Sequence, residues 1–243
     1  MSELLLRLAG VSKSFRGLIA VDGVSFEIEP GAVVALIGPN GAGKTTLFNI
    51  IAGALAADAG EIRLDELSLR GLAPHQVCQA GIARTFQLVR PFAQLSVEDN
   101  VLIGALKWSP TVAAAREEAR RLLALLELED KARRLAVSLT LADRKRLELA
   151  RALATRPRLL LLDEVMAGLR PTETDRMVAM LAELNRRTGL TILLIEHVMR
   201  AVMQLAQRVI VLNHGEKISE GRPEDVVRDP AVLECYLGQE ALA

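Results

Sequence analysis

Aromatic residues make up only 3% of the 243 residues, and the chain holds two cysteines, three histidines, one tryptophan and one tyrosine. Cys78 and Cys235 stand far apart and match no metal or redox spacing. A disulfide-built secreted scaffold is therefore excluded, and both thiols are expected to be reduced and buried. No apolar run approaches the ~18 residues needed to cross a bilayer; residues 159–162 and 191–195 are only of strand length. Neither sign of charge dominates, because thirty Lys and Arg balance thirty Asp and Glu. A net charge of zero leaves no footprint for nucleic acid, whose non-specific binding runs on phosphate neutralisation. His75, His197 and His214 share no ligand spacing, so no histidine-based metal site is expected. The opening Met1-Ser2-Glu3-Leu4-Leu5-Leu6-Arg7 lacks the basic flank and cleavage site of a signal peptide, which gives the expectation of a cytoplasmic protein. Apolar and charged residues, at 51% and 25%, occur in the ordinary proportions of a globular chain with a sizeable core.

Short β-like runs over 4–9 and 18–28, punctuated by Gly10, Gly17, Gly23 and Pro30-Gly31, predict antiparallel strands at the start. Val33-Val34-Ala35-Leu36-Ile37 is continuously apolar and reads as a strand buried on both faces. Residues 44–55 have helical spacing, and two more apolar strands are expected at Leu159–Leu162 and Thr191–Ile195. Between those lies an amphipathic helix over 172–187, with Met177, Val178, Met180, Leu181 and Leu184 on one face. Strands alternating with helices imply a mainly parallel α/β sheet. Residues 91–150 carry no strand pattern. Helical spacing over 111–129 ends in Leu122, Leu123, Leu125 and Leu126, and a second helix is expected over about 141–155. The organisation predicted is an α/β core over 1–90 and 151–243, with an inserted helical subdomain over 91–150.

Gly38-Pro39-Asn40-Gly41-Ala42-Gly43-Lys44-Thr45 fits G-x-x-x-x-G-K-[ST] between a strand and a helix. The glycines let backbone N–H groups point inward, and that nest plus the positive end of the next helix holds phosphates. Lys44 is placed to reach the outer phosphates, and the Thr45 hydroxyl suits Mg²⁺. The bland alternative is a structural glycine turn. Leu159-Leu160-Leu161-Leu162-Asp163-Glu164 supplies two acids at a strand end. Asp163 suits Mg²⁺ coordination, and Glu164 suits orienting or deprotonating a water. Taken alone, the pair is also an ordinary solvated turn.

Together these motifs resemble the ATP-binding subunit of the ABC transporter family, and the resemblance runs over essentially the whole chain. It implies a P-loop NTPase core, RecA-like, with an N-terminal antiparallel β subdomain and an inserted helical subdomain. It implies ATP and Mg²⁺ as ligands, with Gly38, Asn40, Gly41, Ala42, Gly43, Lys44, Thr45 and Thr46 around the phosphates. Phe15, in Lys13-Ser14-Phe15-Arg16-Gly17, sits where the family places an aromatic that stacks on adenine; otherwise it is a core strand residue. Gln87, in Arg84-Thr85-Phe86-Gln87, resembles the Q-loop glutamine that reaches the metal. His197, in Leu194-Ile195-Glu196-His197, resembles the switch histidine, and Ala167-Gly168-Leu169-Arg170 the D-loop. The implied catalytic set is Glu164, His197, Lys44 and Gln87, and the implied metal set Thr45, Gln87 and Asp163.

The signature motif departs from the family's usual Leu-Ser-Gly-Gly-Gln: Leu139-Thr140-Leu141-Ala142-Asp143 stands in its place. Thr140 keeps the hydroxyl, and Thr140 with Asp143 also fits a helix capping box. Ala142 adds a methyl where backbone approaches phosphate. Asp143 adds a negative charge unless its side chain turns back to cap Thr140, so weaker ATP-driven dimer closure is expected. Gly81 to Phe92, Leu95 to Asn100, Ile195 to Met203 and Glu220 to Gly238 look like importers of branched-chain amino acids and related small polar amides. The implied partners are a second ATPase subunit, as homo- or heterodimer, permease subunits docking near 88–103 and, indirectly, a periplasmic solute-binding protein. The implied place is the cytoplasmic face of the inner membrane. The alternatives are another ABC system, importing urea or amides or exporting lipopolysaccharide, and a nucleotide-gated module with weak hydrolysis.

Overall fold

A computed structural model describes residues 4–240, and of 237–240 the backbone alone; Met1–Glu3 of the opening segment lie outside it. The chain first lays down β1 (Leu6–Phe15), β2 (Leu18–Ile28), β3 (Val33–Ile37), α1 (Lys44–Ile51), β4 (Ala59–Leu64) and β5 (Leu67–Ser68). Then follow α2 (Pro74–Ala80), β6 (Ile82–Arg84), α3 (Val97–Ala105), α4 (Val112–Leu125) and α5 (Leu141–Leu153). The last third holds β7 (Leu159–Asp163), α6 (Pro171–Thr188), β8 (Thr191–Ile195), α7 (Met199–Leu205), β9 (Arg208–Asn213), β10 (Glu216–Gly221), α8 (Pro223–Val226) and α9 (Pro230–Glu240).

Strands β3, β7 and β8 are buried at all five positions, as continuous apolar runs must be when both faces of a parallel sheet are covered. They lie in a six-stranded sheet of order β10-β9-β3-β8-β7-β6. Every neighbour pair there is parallel except β9 with β10. Alternate residues serve opposite sides. Val34, Leu36, Leu161 and Leu193 pack with Leu47, Phe48 and Ile51 of α1 and with Leu6, Leu8 and Val11 of β1. Val33, Ala35, Leu160, Leu162 and Leu194 pack toward the helices on the other side. A second sheet, β2-β1-β4-β5, is antiparallel throughout.

Residues 97–153 contribute helices only, with three α-helices rather than the two expected, since α3 precedes the leucine-rich α4, and two 3-10 turns, Glu129–Lys131 and Ala136–Ser138, between α4 and α5. Ser96, Thr111 and Thr140 cap α3, α4 and α5 by accepting an N–H from three residues on. Leu122, Leu123 and Leu126 are buried, while Leu125 is only half-buried. Helix α1 stops at Ile51 instead of 55, and β1 continues to Phe15 instead of ending at 9. The thiols correct another expectation. Both are free but half-buried, because Cys78 sits on the short α2 and Cys235 on α9. Among the described residues no helix is long and apolar enough to cross a membrane.

Candidate nucleotide site

The glycine loop leaves β3 and enters α1 through Gly38, Gly41 and Gly43, whose φ values are 147°, 82° and 98°. A Cβ on Gly38 would lie 2.0 Å from the Leu212 carbonyl oxygen, and one on Gly43 2.2 Å from that of Ala20. Those two glycines thus clamp the loop, backbone on backbone, against β9 and β2. Gly41 faces open space. Ala42 is buried, Asn40 and Thr45 are exposed, and Thr46 is half-buried. Gly215 donates its N–H to the Ala42 carbonyl at 3.1 Å. The Lys44 ammonium is buried and folded onto the loop, donating to the carbonyls of Gly38 at 2.7 Å and Pro39 at 2.8 Å. Burial lowers its pKa against the opposing pull of Glu164 and Asp163.

At the end of β7 the Asp163 carboxylate is buried and accepts from Arg84 Nη2 at 2.7 Å, while its N–H donates to the Thr85 hydroxyl at 3.1 Å. Glu164 turns sharply, at φ 49°, a left-handed conformation uncommon outside glycine. That turn aims its carboxylate at two other candidates. Oε2 accepts from the Gln87 amide at 2.7 Å, and Oε1 lies 2.9 Å from His197 Nε2. Gln87, Glu164 and His197 come from three different strand ends, and the structure brings them together. The Gln87 amide engages the glutamate in this arrangement. Phe15, 42% exposed at the end of β1, is excluded as a core strand residue; the Lys13 ammonium stands 5.6 Å from its ring centroid.

Helix α5 supports this centre from behind. Lys145 donates to the Glu164 carbonyl at 2.9 Å, Glu148 accepts the Phe86 N–H at 2.9 Å, and Arg151 donates to the Arg90 carbonyl at 3.0 Å. Spaced three residues apart, they form one face of the helix. Burial pushes the carboxyl of Glu148 up to about 7, and does the same to Glu196, whose Oε1 accepts the Met166 N–H at 2.9 Å. None of Arg84, Lys145, Glu148 and Glu196 stood out in the sequence. Each is a charged residue with no distinguishing spacing in the sequence, and only burial or a buried contact marks it.

Thr140 and Ala142 sit apart: no hydrogen bond or ion pair among the described residues joins 140–143 to 38–46. Thr140 accepts the Asp143 N–H at 3.2 Å. The reciprocal half of the expected capping box is missing, because Asp143 turns to Lys131 at 2.9 Å and Arg146 at 2.5 Å instead. Two cations outcompete one backbone N–H. Burial raises the Asp143 carboxyl, but Lys131, the Thr140 hydroxyl and Arg146 together hold it below the usual carboxylate range. Thr140, Ala142 and Asp143 line one cavity with Leu169 and Arg170.

Residues 21–167 match the family described as ABC transporter, and residues 216–241 the one described as branched-chain amino acid ATP-binding cassette transporter. The chain belongs to the ABC transporter ATP-binding family. It is 39% identical to the high-affinity branched-chain amino acid transport ATP-binding protein BraF of Pseudomonas aeruginosa, over 98% of this chain and 100% of that protein. Identity to LivG of Escherichia coli, which carries the same description, is 41% over 98% and 100%. In three dimensions it resembles the ADP conformation of MJ1267, an ATP-binding cassette of an ABC transporter, with a TM-score of 0.87 and 32% identity over 97% and 99% of the two chains. The dimeric post-hydrolysis state of the cassette MJ0796, bound to ADP and Pi, superposes with a TM-score of 0.82 and 25% identity, over 90% of this chain and 99% of that one.

Proposed function

We propose that the chain is the ATP-hydrolysing subunit of a branched-chain amino acid importer. The observation that carries the reading is the convergence of Gln87 and His197 on Glu164 beside the glycine cradle. Glu164 is the candidate base for the attacking water, with the Gln87 amide on one carboxylate oxygen and the His197 ring beside the other. Lys44 exchanges the carbonyls of Gly38 and Pro39 for outer phosphate oxygens, and Phe15 stacks on the base. The hydroxyl of Thr45 and the carboxylate of Asp163, both hard oxygen donors, fit Mg²⁺, with Gln87 as a further ligand. When bound, the ion neutralises charge on the phosphates.

Residues 91–150 act as a helical subdomain in this reading, and Thr140 and Ala142 meet the nucleotide of a second ATPase subunit, identical or not. The dimeric MJ0796 supports that pairing by likeness. Because Lys131 and Arg146 neutralise Asp143, the methyl of Ala142 is what is left of the expected penalty on dimer closure. Leu88, Phe92, Leu95 and Ile103 are exposed and form the docking surface for permease subunits on the cytoplasmic face of the membrane. A periplasmic solute-binding protein delivers solute to those permeases. No nucleic acid takes part.

Glu164→Gln is expected to cut hydrolysis by roughly 10²–10⁴-fold while leaving ATP binding intact. Lys44→Ala is expected to weaken binding itself by about tenfold to a hundredfold, the range for losing hydrogen bonds to a charged group. Phosphate release and ATP titration on the two variants check this, and undiminished hydrolysis by Glu164→Gln would sink the assignment.

A further inference from the structure

Arg84 stands between the cradle helix and the metal carboxylate. It ends β6, whose register sets it beside Leu161 of β7, and its side chain is 10% exposed. One nitrogen, Nη2, donates to Asp163 at 2.7 Å, and the other, Nη1, donates to Asn49 Oδ1 on α1 at 2.5 Å. Phe48 and Phe86 flank the guanidinium, with ring centroids 5.8 and 5.5 Å away. The rings fix its plane and keep water from it. The third nitrogen, Nε, is buried without a partner. An unpaired buried N–H and a buried ion pair are poor devices for stability alone, since apolar residues of similar volume do as well or better.

We infer that Arg84 is a positioning residue that holds Asp163 in place and makes divalent-cation binding conditional on nucleotide. The inference rests on the nucleotide-site reading above. Asp163 is buried and already paired with a full positive charge at hydrogen-bond distance. A divalent cation approaching alone meets a neutralised carboxylate and the repulsion of the guanidinium. Phosphate oxygens on the glycine cradle add the negative charge that tips the balance. Metal and nucleotide are thereby coupled, each raising the other's affinity by the same factor. Through Asn49 the same fork ties the carboxylate to the helix that carries Lys44, so the two halves of the site keep their spacing.

The test uses the full chain and Mn²⁺ as probe. Free Mn²⁺ is read by electron paramagnetic resonance without nucleotide, and ATP affinity by calorimetry with and without the metal. Arg84→Met is expected to bind Mn²⁺ without nucleotide about tenfold more tightly than the parent, and to lose the same factor from the metal's enhancement of ATP affinity. Arg84→Gln keeps a donor for Asp163 but no charge and must give the same gain, which covers any folding defect of the methionine variant. Arg84→Lys, retaining the charge, should restore the parent's weak Mn²⁺ binding. Unchanged Mn²⁺ affinity in folded Arg84→Met or Arg84→Gln would overturn the inference, as would a gain that survives Asp163→Asn. If the parent bound no ATP even with metal, the nucleotide-site reading would fall instead.

Discussion

The glycine cradle and the tip of α5 are both places where a helix offers free N–H groups, yet they are built in opposite ways. The cradle is backbone against backbone: Gly38 and Gly43 fit because a side-chain atom there would overlap carbonyl oxygens of Leu212 and Ala20. The tip is side chain against side chain, with Thr140 as cap and Asp143 held by Lys131 and Arg146. Where backbone meets backbone, as at Gly38 and Gly43, almost no substitution fits, because nothing there can rotate away. A side-chain-built site absorbs a charge when cations of suitable reach lie near. That difference is why a methyl is excluded at Gly38 and Gly43 while the charge of Asp143 is absorbed at the tip.

The contrast breaks first at Gly43. Gly43→Ala is expected to cost roughly 3–5 kcal/mol and to abolish ATP binding, as strained backbone and a severe overlap combine. Gly41→Ala, facing open space, should cost only the left-handed penalty of about 1–2 kcal/mol. Denaturant midpoints and ATP titration of both variants measure the gap, and equal losses would erase it.

A smaller effect is expected where the two regions join. Glu148 has its pKa in the folded chain raised from 4.5 to about 7, with Arg151, Lys145 and Asp163 as its charged neighbours. The folded chain then holds more protons than the unfolded one between those values. Stability must therefore fall as pH rises through that window and level off above it. Glu148→Gln removes this contribution, flattening the profile by roughly 1–3 kcal/mol, while Glu196, raised likewise, keeps a remaining slope. Melting curves from pH 5 to 8 (about the window the shift defines) decide it; an unchanged slope would deny the carboxyl its proton.

The smallest effect sharpens the picture of the tip. Lys131→Met should cost about 1 kcal/mol, because Arg146 still pairs with the buried Asp143, and Asp143→Gln should recover most of it in the double variant. Additive losses in thermal melts would show that Asp143 does not depend on Lys131.

Much of the fold was legible where one segment carries its own instruction. Buried parallel strands announce themselves by unbroken apolar runs at 33–37 and 159–162, and the Thr140 cap by its position ahead of a helical pattern. The missed α3 was hidden because Val97, Val101 and Leu102 follow a loop whose Leu88, Phe92 and Leu95 are as apolar but exposed. Periodicity could not tell the two apart. The cysteines were misjudged because burial was assigned by residue type, whereas α2 and α9 lie at the surface.

Gly38–Thr45 and Asp163-Glu164 determine a glycine cradle and an acidic strand end by themselves, because positive-φ glycines and a strand's last residues are local demands of the backbone. Only the tertiary structure decided that Arg84 would meet Asp163 and that Gln87 and His197 would meet Glu164. It alone also decided that Asp143 would be neutralised from outside its own helix by Lys131. A charge finds its partner among whatever elements the sheet order sets beside it, and that order is fixed by packing over the whole chain, not by neighbours in sequence.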